Sequence, residues 1–176
     1  MKKEEKQEIV FKSWTYKNEI MTAEKIDELY STNKKLHGFV YMITEKSSGK
    51  IYIGQKKFWT TKVRSVNKKK KKVKVQSDWE KYFSSSNYII DEVAKGNHEN
   101  FERKIIALCI SDGQMNYIEM KLQMDLRVLE RQDLFLNAYI GSRIATSHTK
   151  HNEVIDWDKD EIDKLYQLSY FGFSNS

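Results

Sequence analysis

The fold is decided by Phe39-Val40-Tyr41-Met42-Ile43-Thr44, followed by Glu45-Lys46-Ser47-Ser48-Gly49 and then Lys50-Ile51-Tyr52-Ile53-Gly54. Two runs rich in β-branched and aromatic residues flank a five-residue loop containing glycine, which predicts a β-hairpin. Alternate side chains of a strand share a face, so Phe39, Tyr41 and Ile43 point together and Val40 and Met42 point the other way. On the second strand Tyr52 points opposite Ile51 and Ile53, and a suitable register brings both tyrosines to one surface.

Upstream, Thr22 to Tyr30 reads as a short helix capped by Thr22, with Ile26, Leu29 and Tyr30 apolar. Downstream, residues 55–77 are basic, with Phe58 and Trp59 their only aromatics. Asp78 to Phe83 begins a helical patch, and Ser85 or Ser86 caps a helix ending before Gly96. Phe101 to Ile110 reads as a strand. Gln114 to Gln132 reads as the longest helix, with Met115, Ile118, Leu122, Leu126 and Leu129 forming one apolar stripe. Leu134 to Ile140 is a short final strand, and Asp158 to Tyr170 a peripheral helix. The order β-β-α-β-α-β predicts an α+β fold, with a small mixed or antiparallel three-stranded sheet flanked by helices.

The composition fits one domain with short appendages: 176 residues, 39% apolar and 32% charged. A lone cysteine, Cys109, excludes a disulfide framework and a cysteine-rich zinc site. No apolar run approaches the ~18 residues of a membrane span, and the first residues lack the apolar centre of a secretory signal. The expected location is the cytoplasm. His37, His98, His148 and His151 have no metal-ligand spacing and read as surface residues, Ser84 to Ser86 as capping residues, and no glycine-rich phosphate loop occurs.

Net charge is +6, but Lys46 to Ser77 holds twelve Lys or Arg and no Asp or Glu, leaving −6 on the remainder. Such a stretch attracts a polyanion by counterion release, which puts nucleic acid first among partners. A solvated lysine-rich loop with no partner is the plainer reading of the same run.

Tyr41 and Tyr52, with Tyr52-Ile53-Gly54, resemble the two half-motifs of the GIY-YIG nucleases; Gly38 lies one residue before the family's glycine position, where Phe39 stands. Asp78 to Ser86, with Asn116-Tyr117-Ile118-Glu119, resembles free-standing homing-type endonucleases of large tailed phages. The resemblance implies a nuclease domain over residues 37–145, between an N-terminal helical extension (1–36) and an acidic tail with a short helix (146–176). It also implies a host-cytoplasmic location for a phage-encoded enzyme.

Implied catalytic residues are Tyr41 as general base, Tyr52 positioning water or phosphate, Arg64 on a helix, Glu119 holding Mg²⁺ or Mn²⁺, and Asn137 positioning a backbone or a tyrosine. Lys62 competes with Arg64 as the cation at the phosphate. Double-stranded DNA would be held by Lys56, Lys57, Lys62, Lys68, Lys69, Lys70, Lys71, Lys72 and Lys74. The chemistry suits these types. Phosphodiester hydrolysis needs a deprotonated water and charge neutralisation, a carboxylate suits a hard cation, and a guanidinium grips phosphate in a fork. Two rivals remain: a non-catalytic nucleic-acid-binding protein on the same fold, and a small RNA-binding protein whose Phe58 and Trp59 stack on bases.

Overall fold

The computed structural model describes residues 12–66, 69–141, 144–149 and 156–171. In chain order the elements are β1 (Thr15–Tyr16), β2 (Glu19–Ile20), α1 (Ala23–Thr32), β3 (Gly38–Glu45), β4 (Ile51–Lys57), β5 (Trp59–Val66) and β6 (Lys69–Gln76). They continue with α2 (Asn87–Ala94), β7 (Phe101–Cys109), α3 (Asp112–Asp125), β8 (Asp156–Trp157) and α4 (Lys159–Phe171). The architecture is α+β.

The hairpin forms as β3 and β4, antiparallel, with Tyr41 opposite Gly54 and Ile43 opposite Tyr52. That register puts both tyrosines on one face. β7 pairs antiparallel with the other side of β3 and completes the central three strands. Beyond them the sheet runs β2-β1-β7-β3-β4, with β8 also on β7, and β1 running parallel to β7. These two-residue additions are too short to carry a hydrophobic period, which is why sequence reading stops at three strands.

Each face of the sheet buries its own core. Val40, Met42, Ile51 and Ile53 meet Met115, Ile118, Leu122 and Leu126 of the α3 region. Phe39, Tyr41 and Ile43 meet Trp14, Ile26, Phe58, Trp79 and Ile89. Burying each such side chain stabilises the fold by about 1.5–3 kcal/mol. Thr22 caps α1, its hydroxyl accepting from Lys25 N at 3.3 Å.

Four local expectations are corrected. α3 ends at Asp125 rather than near Gln132, because the chain turns through a left-handed Arg127 (φ 55°), leaving Leu129 45% exposed. Asp78 to Tyr82 is a turn, closed by Tyr82 N to Asp78 O at 3.0 Å. Leu134 to Ile140 makes only an isolated parallel bridge, Phe135 to Ile51. The basic segment continues β4 and then folds as the β5–β6 hairpin, a sheet of its own, because Thr60, Thr61, Val63, Val73 and Val75 interleave the lysines with β-branched residues.

Candidate active site

A cleft of about 500 Å³ opens along β4, the end strand of the sheet, lined by Tyr52, Gln55, Ser85, Tyr88, Glu119 and Asn137 among others. The chain from Leu134 covers β4 only in part. Ile51 N donates to Leu134 O and Leu136 N to Ile51 O, both at 2.8 Å. Then the Asn137 carboxamide takes over: its Oδ1 accepts from Ile53 N at 3.0 Å and its Nδ2 donates to Ile53 O at 2.8 Å. A buried side chain thus replaces a missing strand, so Asn137 holds the backbone beside Tyr52 and does not face the cleft with a free group.

Glu119 projects from α3 beside the apolar stripe. Gln55 Nε2 donates to its Oε2 at 2.7 Å and Gln123 Nε2 to its Oε1 at 3.3 Å. Gln55 also donates to Asn116 Oδ1 at 2.6 Å, and Gln123 to Ile53 O at 3.1 Å. Burial drives the carboxyl pKa up to about 7, with these two amide bonds opposing the rise. Among the described residues no cation pairs with it.

Tyr52 and Tyr41 stand side by side, ring centroids 6.2 Å apart, but they are not equivalent. Tyr52 is half-buried and its hydroxyl meets Ser85 Oγ at 3.0 Å. Burial raises its pKa, the Ser85 bond opposes this, and Glu119 adds to the rise. Tyr41 is wholly buried, its hydroxyl 3.5 Å from that of Tyr82 and its ring edge-on to Trp14. Desolvation holds its pKa well above the ordinary value, so it keeps its proton. The general-base role that the resemblance implies for Tyr41 would require this hydroxyl to be uncovered and its pKa lowered. Gly54 is required by this pair: a Cβ there would lie 2.5 Å from Tyr41 Oη and 2.9 Å from Tyr52 Cε1.

Tyr82 is positioned by Arg103, whose Nη1 donates to Glu80 O at 3.0 Å and Tyr82 O at 2.7 Å. The guanidinium lies between the rings of Trp14 and Phe83, 4.9 and 4.3 Å from their centroids. Burial lowers its pKa to about 10, which leaves it charged at neutral pH. Lys56 Nζ sits 3.9 Å over the Tyr82 ring and 2.6 Å from Asp78 Oδ1, so one cation is built into the tyrosine cluster.

Other cations lie elsewhere. Arg64 is in strand β5, opposite Lys71, and not on a helix; the β-branched pattern of that segment forbids the expected placement. Lys62, Lys70, Lys71 and Lys72 are exposed on the same hairpin, Lys69 belongs to its second strand, and Lys68 lies outside the described residues, as does His151. Lys57 pairs with Asp112 at 2.8 Å, and Lys74 lies over the rings of Tyr30 and Trp59. Phe58 is fully buried and Trp59 packs on Tyr30 at 4.7 Å while its Nε1 donates to Leu36 O. Neither ring is free to stack on a base, which removes the basis of the RNA-binding alternative.

Among the described residues no group of three His, Cys, Asp or Glu could hold a metal ion. The donor set still suits Mg²⁺ or Mn²⁺: one half-buried carboxylate without a cation among the described residues, ringed by amide groups and open to a cleft, matches a hard ion that keeps several waters and binds substrate phosphate. Sequence reading missed Gln55, Gln123 and Ser85. Gln123 was findable one helical turn after Glu119, and Gln55 by its strand parity with Ile53. Ser85, expected as a cap, has no such signal; Ser86 takes the cap position of α2.

No helix of the described residues is long and apolar enough to cross a membrane. A family model described as "Putative endonuclease segE, GIY-YIG domain" matches residues 14–144. A search of curated proteins and a search of solved structures found no match.

Proposed function

The chain belongs to the GIY-YIG endonucleases, and from that premise we propose that it hydrolyses phosphodiester bonds of double-stranded DNA with Mg²⁺ or Mn²⁺ held at Glu119, in a homing-type role. The observation that carries this reading is the Glu119 carboxylate, half-buried in the cleft beside Tyr52 and lacking a cationic partner among the described residues.

A bound divalent cation supplies charge neutralisation at the phosphate and acidifies water near it. The Gln55 and Gln123 amides aim both Glu119 oxygens into place. Tyr52, neutral at pH 7, donates its O–H to a non-bridging phosphate oxygen, released from Ser85 when substrate enters. Tyr41 backs Tyr52 and carries Tyr82, which in turn seats Lys56 where it would meet the phosphate backbone. Asn137 is a positioning residue for the β4 edge. Lys62, Lys70, Lys71 and Lys72 contact neighbouring phosphates from the β5–β6 hairpin, fixing the duplex without specifying sequence.

The test is relaxation of supercoiled plasmid by purified protein with Mg²⁺, with Mn²⁺ and with EDTA. Relaxation is expected with either metal and none in EDTA. Binding without relaxation under all three conditions would favour the non-catalytic alternative.

A further inference from the structure

The β5–β6 hairpin pairs only with itself, and a lone two-stranded ribbon is marginal in water unless something fixes it. Its base is fixed. Phe58 N donates to His37 O at 3.0 Å, Ser77 N to Phe58 O at 2.7 Å, and Gln76 Nε2 to Ala23 O and Asp27 Oδ1 at 3.0 and 2.9 Å. Beyond the base, nothing in the described protein covers it: Val63 is 60% exposed. Strand-forming residues without a core of their own mark a ribbon whose covering surface comes from a partner.

The partner's chemistry follows from the register. Thr60 faces Val75, Lys62 faces Val73, Val63 faces Lys72 and Ser65 faces Lys70. Side chains therefore alternate so that Lys62 and Lys71 lie on one face and Lys70 and Lys72 on the other. Among the described residues no acid pairs with any of the four. A flat phosphate contact needs cations on one face only, whereas a groove has phosphate walls on both sides. Strands of eight residues span about 26 Å. The major groove, about 12 Å wide, admits a two-stranded ribbon in undeformed duplex, whereas the minor groove, about 6 Å wide, admits one only where the duplex is bent or widened.

We propose that β5–β6 enters the major groove of the DNA duplex and, through its anchored base, fixes where along that duplex the cleft cuts. The inference rests on the DNA-cleaving reading above. Val63 and Ser65, on the face of Lys70 and Lys72, supply methyl and hydroxyl groups for base edges, and the long lysines of both faces reach the phosphates of the two walls.

The test uses dimethyl sulfate on the full-length protein bound to a duplex in EDTA, which reports guanine N7 in the major groove and adenine N3 in the minor groove. Adding Mg²⁺ to the same complex then maps the cuts. The variant replaces residues 62–73 by Asn-Gly, closing the hairpin across the Thr61–Lys74 pair and keeping its base. The intact protein is expected to protect guanine N7 over about seven base pairs at a fixed distance from the cut. The shortened variant is expected to cleave still, with weaker binding, scattered cut positions and no N7 protection. Unprotected N7, protection confined to adenine N3, or an unchanged footprint and cut pattern in the variant would overturn the proposal while leaving the nuclease reading intact. An intact protein that neither binds nor cuts would overturn both.

Discussion

Glu119→Gln should stabilise the metal-free protein at pH 8 and have a much smaller effect at pH 5. In the folded chain burial holds the Glu119 carboxyl at about 7 against an ordinary 4.5, so between these values the folded state binds more protons than the unfolded one. Stability from this group is fully present below pH 4.5 and is lost as pH rises through 7. The difference corresponds to about 3 kcal/mol, and the partial exposure of Glu119 reduces it to roughly 1–2 kcal/mol. Glutamine has one acceptor oxygen for the Gln55 and Gln123 amides, as protonated Glu119 does, so it mimics the low-pH state at every pH. The assay is urea unfolding in EDTA at pH 5 and pH 8, comparing midpoints at equal slope. The wild type should lose about 1–2 kcal/mol between the two pH values relative to the variant. Added Mg²⁺ at pH 8 should restore the wild type and leave the variant unmoved. A variant less stable than wild type at pH 8, or one with an identical pH dependence, would refute the reasoning.

Three further outcomes follow from the same geometry. Tyr52→Phe should slow single-turnover cleavage by about 100-fold because it deletes a donor in the cleft, while Tyr41→Phe should slow it less than about tenfold because that hydroxyl is buried; equal losses would return Tyr41 to the chemistry. Asn137→Ala should destabilise the fold by about 2 kcal/mol in thermal unfolding, since Ile53 N loses its acceptor while Ile53 O keeps Gln123. Lys70, Lys71 and Lys72→Ser together should flatten the slope of log affinity against log salt by about 2.7, measured by DNA titration at several salt concentrations.

The hairpin was legible because its signals agree: β-branched runs, a glycine loop and strict alternation place Tyr41 and Tyr52 on one face, and the register delivers it. α1 was legible through its cap Thr22 and its period, and the first half of α3 through its period alone; Ser111, which caps α3 by accepting from Gln114 N, was not read as a cap. The end of α3 was not, since Leu129 keeps the period after a left-handed Arg127 has broken the helix. The ribbon was hidden by its charge: lysines dominate the composition of residues 55–77, and the segment reads as a basic stretch, while the valines and threonines between the lysines that set the strand pattern draw no notice. In the site, Glu119 and Asn137 were found by resemblance, yet their surroundings depend on long-range contacts. Gln55 reaches Glu119 from 64 residues away, and Asn137 reaches Ile53 from 84. No local pattern encodes those, nor the full burial of Tyr41.

The central claim is a metal held at Glu119 for DNA cleavage, and single-turnover cutting of a bound duplex across a Mg²⁺ titration tests it most directly. The wild type should reach a saturating rate and fall to none in EDTA. Glu119→Gln should bind DNA in EDTA as the wild type does and cut about 1,000-fold more slowly or worse, the loss of roughly 4 kcal/mol of transition-state stabilisation. Cutting by Glu119→Gln at the wild-type rate, at any Mg²⁺ concentration, would contradict the account.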